Sequence, residues 1–251
     1  MAQQWQNEKM EFAPFLPYLY RVLQPAFPNC LWAGGSERPI VALTFDDGPH
    51  LHHTSDLIAV LDRHSIIASF FWLGICVDRA PDVARKVWNR GHWIGLHGYD
   101  HRSFPLLSSI ELQESLVQTQ RSIAQACGLP LADVEAKIRD VRPPNGLFTP
   151  QILWQLHQWK YRPVMWSVVP EDWVRPGVEK VIQRILAQVC NGAHIVLHDG
   201  SCGGEDVAET VDRLVPRLVE RGYEFVTIDE LWRARSIAAC DAPPKPETTP
   251  Q

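Results

Sequence analysis

Thr44-Phe45-Asp46-Asp47-Gly48-Pro49 follows directly on the apolar run Ile40-Val41-Ala42-Leu43. Asp is a poor strand residue and adjacent carboxylates repel, so a pair at a strand end calls for a cation, a base or a water to share the charge. Asp-Gly-Pro is also ordinary turn chemistry, and on the hexapeptide alone both readings stand. Further along, His97-Gly98-Tyr99-Asp100-His101 spaces two histidines four apart, within reach of one metal ion if the segment turns helically. With Asp47 they make a two-histidine, one-carboxylate set that leaves coordination positions for water and substrate. Arg142, ahead of Pro143-Pro144-Asn145-Gly146, could hold a neighbouring carboxylate ionised through a bidentate pair. Asp172-Trp173 and Leu197-His198-Asp199-Gly200 complete the reactive segments. A lone His on an apolar strand is commonly core, but the strand-end position of His198 favours acid–base work.

Placing these groups together requires strands that end side by side. Between Arg38 and Trp232 short apolar runs alternate with helical patterns, the signature of βα units and a parallel sheet. Strands are expected at 40–45, 68–73, 93–97, 138–142, 164–168, 194–198 and 224–228, and every reactive segment lies at or beyond the C-terminal end of one. A parallel barrel carries its chemistry there. The clearest helix runs from Ser108 to Cys127: Ser108 and Glu111 form a capping-box pattern, and Gly128 stands where a C-terminal cap belongs. Trp88, Trp154 and Trp159 fall in helical patterns and are expected in the core.

The chain has 251 residues, enough for one large α/β domain. Lys+Arg 24 against Asp+Glu 29 gives a net charge of −5, and without a basic run there is no footprint for nucleic acid. Six scattered cysteines without a C-x-x-C pair argue against a disulfide framework or a structural zinc knuckle. The aromatic stretch from Phe12 to Trp32 is broken by Pro14, Pro17, Pro25 and Pro28, so no transmembrane segment is expected. The first ten residues are polar, unlike a signal peptide, which makes a cytoplasmic location the default. The expected layout is an arm over 1–37 packing on the domain, a catalytic domain over 38–235 and a disordered tail over 236–251. Oligomeric state is not legible.

From about Pro39 to Trp232 the five segments, in this order, resemble the NodB-homology polysaccharide deacetylases, carbohydrate esterase family four. The resemblance implies a distorted (β/α) barrel of about seven strands and metal-dependent removal of acetyl groups from N-acetylglucosamine polymers, peptidoglycan or chitin-like. The partner is then an acetylated carbohydrate, and a peptidoglycan substrate would place the protein at the cell envelope. The metal is expected to be Zn²⁺, with Co²⁺, Ni²⁺ or another divalent ion compatible with the donors. Position by position, Asp46 is the implied general base, oriented by Arg142. Asp47, His97 and His101 are the implied metal ligands. His198 is the implied general acid, paired with Asp172. Trp173 would shape the sugar pocket, Leu197 would face the acetyl methyl, and the backbone N–H of Asn145 would meet the oxyanion. Two departures stand out. Gly98 replaces a hydroxyl residue that braces the second histidine's loop, and Asn145 stands where an aromatic residue is common. An O-acetyl esterase of the xylan type and a catalytically silent glycan-binding member are the alternatives.

Overall fold

The computed structural model describes residues 22–35 and 37–240. Its strands are β1 (Ile40–Asp46), β2 (Ser69–Trp72), β3 (Trp93–Leu96), β4 (Asp140–Val141), β5 (Arg162–Pro163), β6 (Ala193–His198) and β7 (Glu224–Phe225). They form one sheet in the order β5-β4-β3-β2-β1-β6, with β7 also on β1, and every pairing is parallel. Between them run α1 (His53–Arg63), α2 (Gly74–Arg79), α3 (Pro81–Asn89), α4 (Ser109–Cys127), α5 (Leu131–Lys137), α6 (Pro150–Gln158), α7 (Val178–Gln188), α8 (Val207–Glu220) and α9 (Ile228–Cys240). The result is a seven-stranded, all-parallel α/β sheet with helices between its strands.

β1 is the spine. All its residues are buried, as a strand flanked by neighbours and covered on both faces must be, which explains its near-continuous apolar run. Register then sets the working edge. Asp46 is level with Phe71 on one side and His198 on the other, and Leu96 is level with Val141. The side chains at or just past these strand ends, Asp46, His97, Arg142 and His198, therefore share the C-terminal rim.

The expected fifth strand over 164–168 is different in the structure. Regular pairing is confined to Arg162–Pro163, with isolated bridges Leu31↔Val164 and Val168↔Ile195 beyond it. The segment's backbone groups are taken up on both edges: Val164 donates to the Val141 carbonyl of β4 at 2.8 Å, and the other edge meets Leu31. Leu31 donates to the Pro163 carbonyl at 2.9 Å and accepts from the Met165 N–H at 2.8 Å, while Val168 donates to His194 at 3.2 Å. The segment thus leaves β4 and meets β6, drawing the two sheet edges together.

The helix from Ser109 to Cys127 has its capping box and a left-handed Gly128 at φ 68°. Trp88 and Trp159 pack partly buried against the main core, but Trp154 is 61 % exposed and is not core. α6 buries Ile152, Leu153 and Leu156, and Trp154 lies outside that stripe on the solvent side. Residues 1–21 of the expected arm lie outside the described residues; Cys30, Leu31 and Trp32 are buried. α9 continues to Cys240, past the expected boundary at 235, and 241–251 lie outside the described residues.

Candidate active site

A cleft of about 750 Å³ opens at the C-terminal rim, and Asp46, Asp47, His97, His101, Arg142 and His198 all line it. Asp47 Oδ1 lies 3.5 Å from His97 Nε2 and 3.3 Å from His101 Nε2. One donor atom from each residue falls within 4.8 Å of the others. His97 Nδ1 is 2.7 Å from the Arg142 carbonyl, so Nδ1 carries the proton and Nε2 offers its lone pair toward Asp47. Burial pushes the His97 imidazole down to about 3 against the pull of Asp47, keeping the ring neutral as a ligand must be. Asp47 Oδ1 is buried with no hydrogen-bond donor. A buried carboxylate oxygen without a donor, facing two imidazole nitrogens, fits a divalent cation. Asp47 and His101 hold left-handed backbones at φ 71° and 64°, a strain that collects at functional sites.

Asp46 is nearly fully buried and takes a 2.6 Å hydrogen bond from Arg142 Nη1. The pair is not the bidentate one expected. Arg142 spreads its donors, giving Nη1 also to Thr44 Oγ1 at 2.9 Å and Nε to the Met165 carbonyl at 3.2 Å, while its guanidinium lies 4.0 Å over the Phe71 ring. On the neighbouring strand, level with Asp46, His198 is held by Asp172, which accepts from its Nδ1 at 2.8 Å and from its backbone N–H at 2.7 Å. Burial alone would lower the His198 pKa, but Asp172, with Asp46 and Asp47 behind it, raises it to about 9. Trp173 stands edge-on to the His198 ring at 5.1 Å.

Leu197 does not enter the cleft. It is fully buried in the main core, and Val196 lines the cavity instead. Strand alternation is the reason: on β6 the side chains of Val196 and His198 share a face and Leu197 takes the other. Asn145 lines the cleft at φ 56°, with its side-chain amide donating to Ser103 Oγ at 2.9 Å. Just past the Asp46-Asp47 turn, His50 accepts from the His52 and His53 N–H groups and His53 Nδ1 meets the Gly200 carbonyl at 3.0 Å; none of the three lines the cleft.

Three supports escaped sequence reasoning. Trp166 lines the cleft above Gly146, where an added Cβ would meet the indole at 1.6 Å. Asp199 is fully buried, accepts from Thr54 Oγ1 at 2.5 Å and donates its N–H to the Asp46 carbonyl at 3.1 Å, so α1 and the β6 end are locked to the Asp46-Asp47 turn. Ser115 of α4 accepts from the Tyr99 N–H at 2.8 Å. It braces the loop from inside the fold, where Gly98, at φ 83°, has no hydroxyl to offer. Replacing Ser115 by Ala is expected to weaken metal binding about tenfold while the protein stays folded. Competition with a chromophoric chelator measures this, and an unchanged affinity would show that the loop needs no such brace.

Acid, base and metal donors gathered along one strand edge are the equipment of a metal-assisted hydrolase. Comparison with known proteins makes the class specific. The family model described as polysaccharide deacetylase matches residues 33–164. The chain is 32 % identical over 202 residues to a chitooligosaccharide deacetylase of Bradyrhizobium sp. (strain ANU 289), covering 76 % of this chain and 90 % of the relative. It is 29 % identical over 204 residues to a peptidoglycan-N-acetylglucosamine deacetylase of Bacillus cereus, covering 80 % and 92 %. The solved structure of Bacillus subtilis PdaA, a family 4 carbohydrate esterase, superposes with a TM-score of 0.74 at 25 % identity, covering 85 % of this chain and 88 % of that one. The chain belongs to the polysaccharide deacetylase family.

Proposed function

We propose that this protein removes acetyl groups from N-acetylglucosamine-containing glycans, releasing acetate and leaving a free amine. One observation carries the reading: the Asp46–Arg142 pair, the Asp47, His97, His101 donors and His198, held from behind by Asp172, face a single cleft. Asp47, His97 and His101 would hold a divalent ion, zinc before cobalt or nickel, which would supply Lewis acidity and lower the pKa of water. Asp46 takes the proton of the attacking water, and Arg142 aims its carboxylate through the 2.6 Å hydrogen bond. Water oxygen bonds to the acetyl carbon as the carbonyl π pair moves onto oxygen; the carbonyl then re-forms and the carbon–nitrogen bond breaks. His198 gives its proton to the departing nitrogen, and Asp172 keeps the imidazole protonated and oriented until that moment. The Asn145 N–H is the proposed donor to the developing oxyanion. Val196, Trp173 and Trp166 wall the sugar. A peptidoglycan substrate would put the site of action at the cell envelope; no described helix is long and apolar enough to cross a membrane.

Acetate release from N-acetylglucosamine oligomers by zinc- or cobalt-loaded protein tests this. Release should vanish on chelation and return with added ion. Metal-replete protein that releases nothing would reject these oligomers and bring acetylxylan forward.

A further inference from the structure

One wall of the cleft is a helix face. α2 presents Ile75, Cys76 and Arg79 to the cavity. Its first turn is tied to the metal-donor loop, Gly74 N–H to the Gly98 carbonyl at 3.2 Å and Ile75 N–H to the Tyr99 carbonyl at 2.9 Å. Five helical steps from Gly74 put Arg79 about 7.5 Å along the wall from that anchor.

The charges of the cleft are otherwise matched within the protein. Asp46 has Arg142 at 2.6 Å, Asp100 has Arg102 at 2.9 Å, Glu171 has Arg184 at 3.7 Å, and His198 has Asp172 at 2.8 Å. Asp47 belongs to the metal donors. Arg79 lines the same cavity, is exposed, and makes no hydrogen bond or ion pair among the described residues. An uncompensated guanidinium on the wall of a cleft concentrates anions there, and its planar fork matches a carboxylate with two N–H···O bonds. A neutral N-acetylglucosamine chain offers that fork single carbonyl and hydroxyl acceptors but no charged, two-oxygen partner. A strand in which acetylated sugars alternate with carboxylate-bearing ones does offer one.

We propose that Arg79 recognises a carboxylate on the sugar adjoining the N-acetylated one, so that the cleft prefers an acidic glycan of the peptidoglycan kind to a neutral chitin-like oligomer. The inference rests on the deacetylase reading of the cleft and adds its charge preference.

The test uses the metal-loaded full chain and two probes, a peptidoglycan-derived tetrasaccharide with free carboxylates and the same molecule with those carboxylates methyl-esterified. Calorimetry should show the acid binding about fivefold more tightly than the ester at low salt, with the advantage shrinking in about 0.5 M salt. Arg79→Gln should erase the difference, and Arg79→Lys should keep part of it, because the charge remains while the fork is lost. Equal binding of acid and ester by the unaltered protein, or a preference that survives Arg79→Gln, would overturn the proposal. Acetate release, followed on both probes in parallel, separates the two readings. Turnover without acid preference removes Arg79's role alone, whereas acid-selective binding without any turnover removes the deacetylase reading and leaves the carboxylate site.

Discussion

Asp46→Asn is expected to lower acetate release about a thousandfold, the loss typical of removing a positioned base, while leaving the bound metal in place. Asn keeps the shape of Asp and still offers Oδ1 to the Arg142 N–H now 2.6 Å away, so the site's outline survives. What disappears is the basicity that accepts the water proton. The metal should stay because its donors are Asp47, His97 and His101. A second effect accompanies the first. Arg142 is fully buried, and without the Asp46 charge its guanidinium has lost its counter-ion, at a cost of about 3 kcal/mol in folding stability. Metal stoichiometry, thermal midpoint and turnover, read together, separate these effects. A variant that loses metal with its activity would overturn the division of labour between Asp46 and Asp47.

Asp172→Asn is expected to move the alkaline limb of the pH–rate profile toward acid and cut turnover about a hundredfold at pH near 8, with a smaller loss near pH 6. The sign follows from the His198 environment. Burial disfavours the imidazolium, and the Asp172 carboxylate outweighs it, raising the pKa to about 9. A proton-donating His198 is therefore charged at neutral pH and loses its proton as pH rises through that value. Remove the carboxylate and burial dominates, so the ring is neutral at pH 8. The pair's contribution to folding has the same sense: it is fully present below the ordinary histidine pKa of about 6.5 and fades as pH rises through the folded value. NMR titration of the imidazole in metal-free protein checks the shift directly. An alkaline limb that does not move would show that His198 is not the acid.

These expectations combine residues read at different levels. The reactive groups were visible in the chain because each sits at or just past the end of an apolar run, where a parallel barrel must put its chemistry. The α4 capping box was visible for a similar reason: its partners, Ser108 and Glu111, are three residues apart. Fold class followed from alternating strand and helix patterns, which are local properties. Val196 was within reach of the same logic. Strand period alone makes residues two apart share a face, so choosing His198 for the cleft commits Val196 to it and sends Leu197 to the core.

Tertiary structure decided everything that depends on which distant segments meet. Arg142 lies 96 residues from Asp46, and only the folded sheet shows that its donors are divided among a carboxylate, a hydroxyl and a carbonyl. Ser115 takes over the brace that Gly98 cannot supply, a substitution by proximity that no motif spacing encodes. The fifth strand is short because its chain leaves β4 after Val164 and bonds to β6 at Val168, a change of neighbour that no local pattern encodes. The helical wall likewise turns an arginine with no motif around it into the unmatched charge of the cleft. The chain alone determined the chemistry available and the kind of scaffold, since residue type and local periodicity are carried in sequence. Registers, partners and the matching of charges came only with the fold, because they are energies of contact between segments whose separation along the chain says nothing about their separation in space.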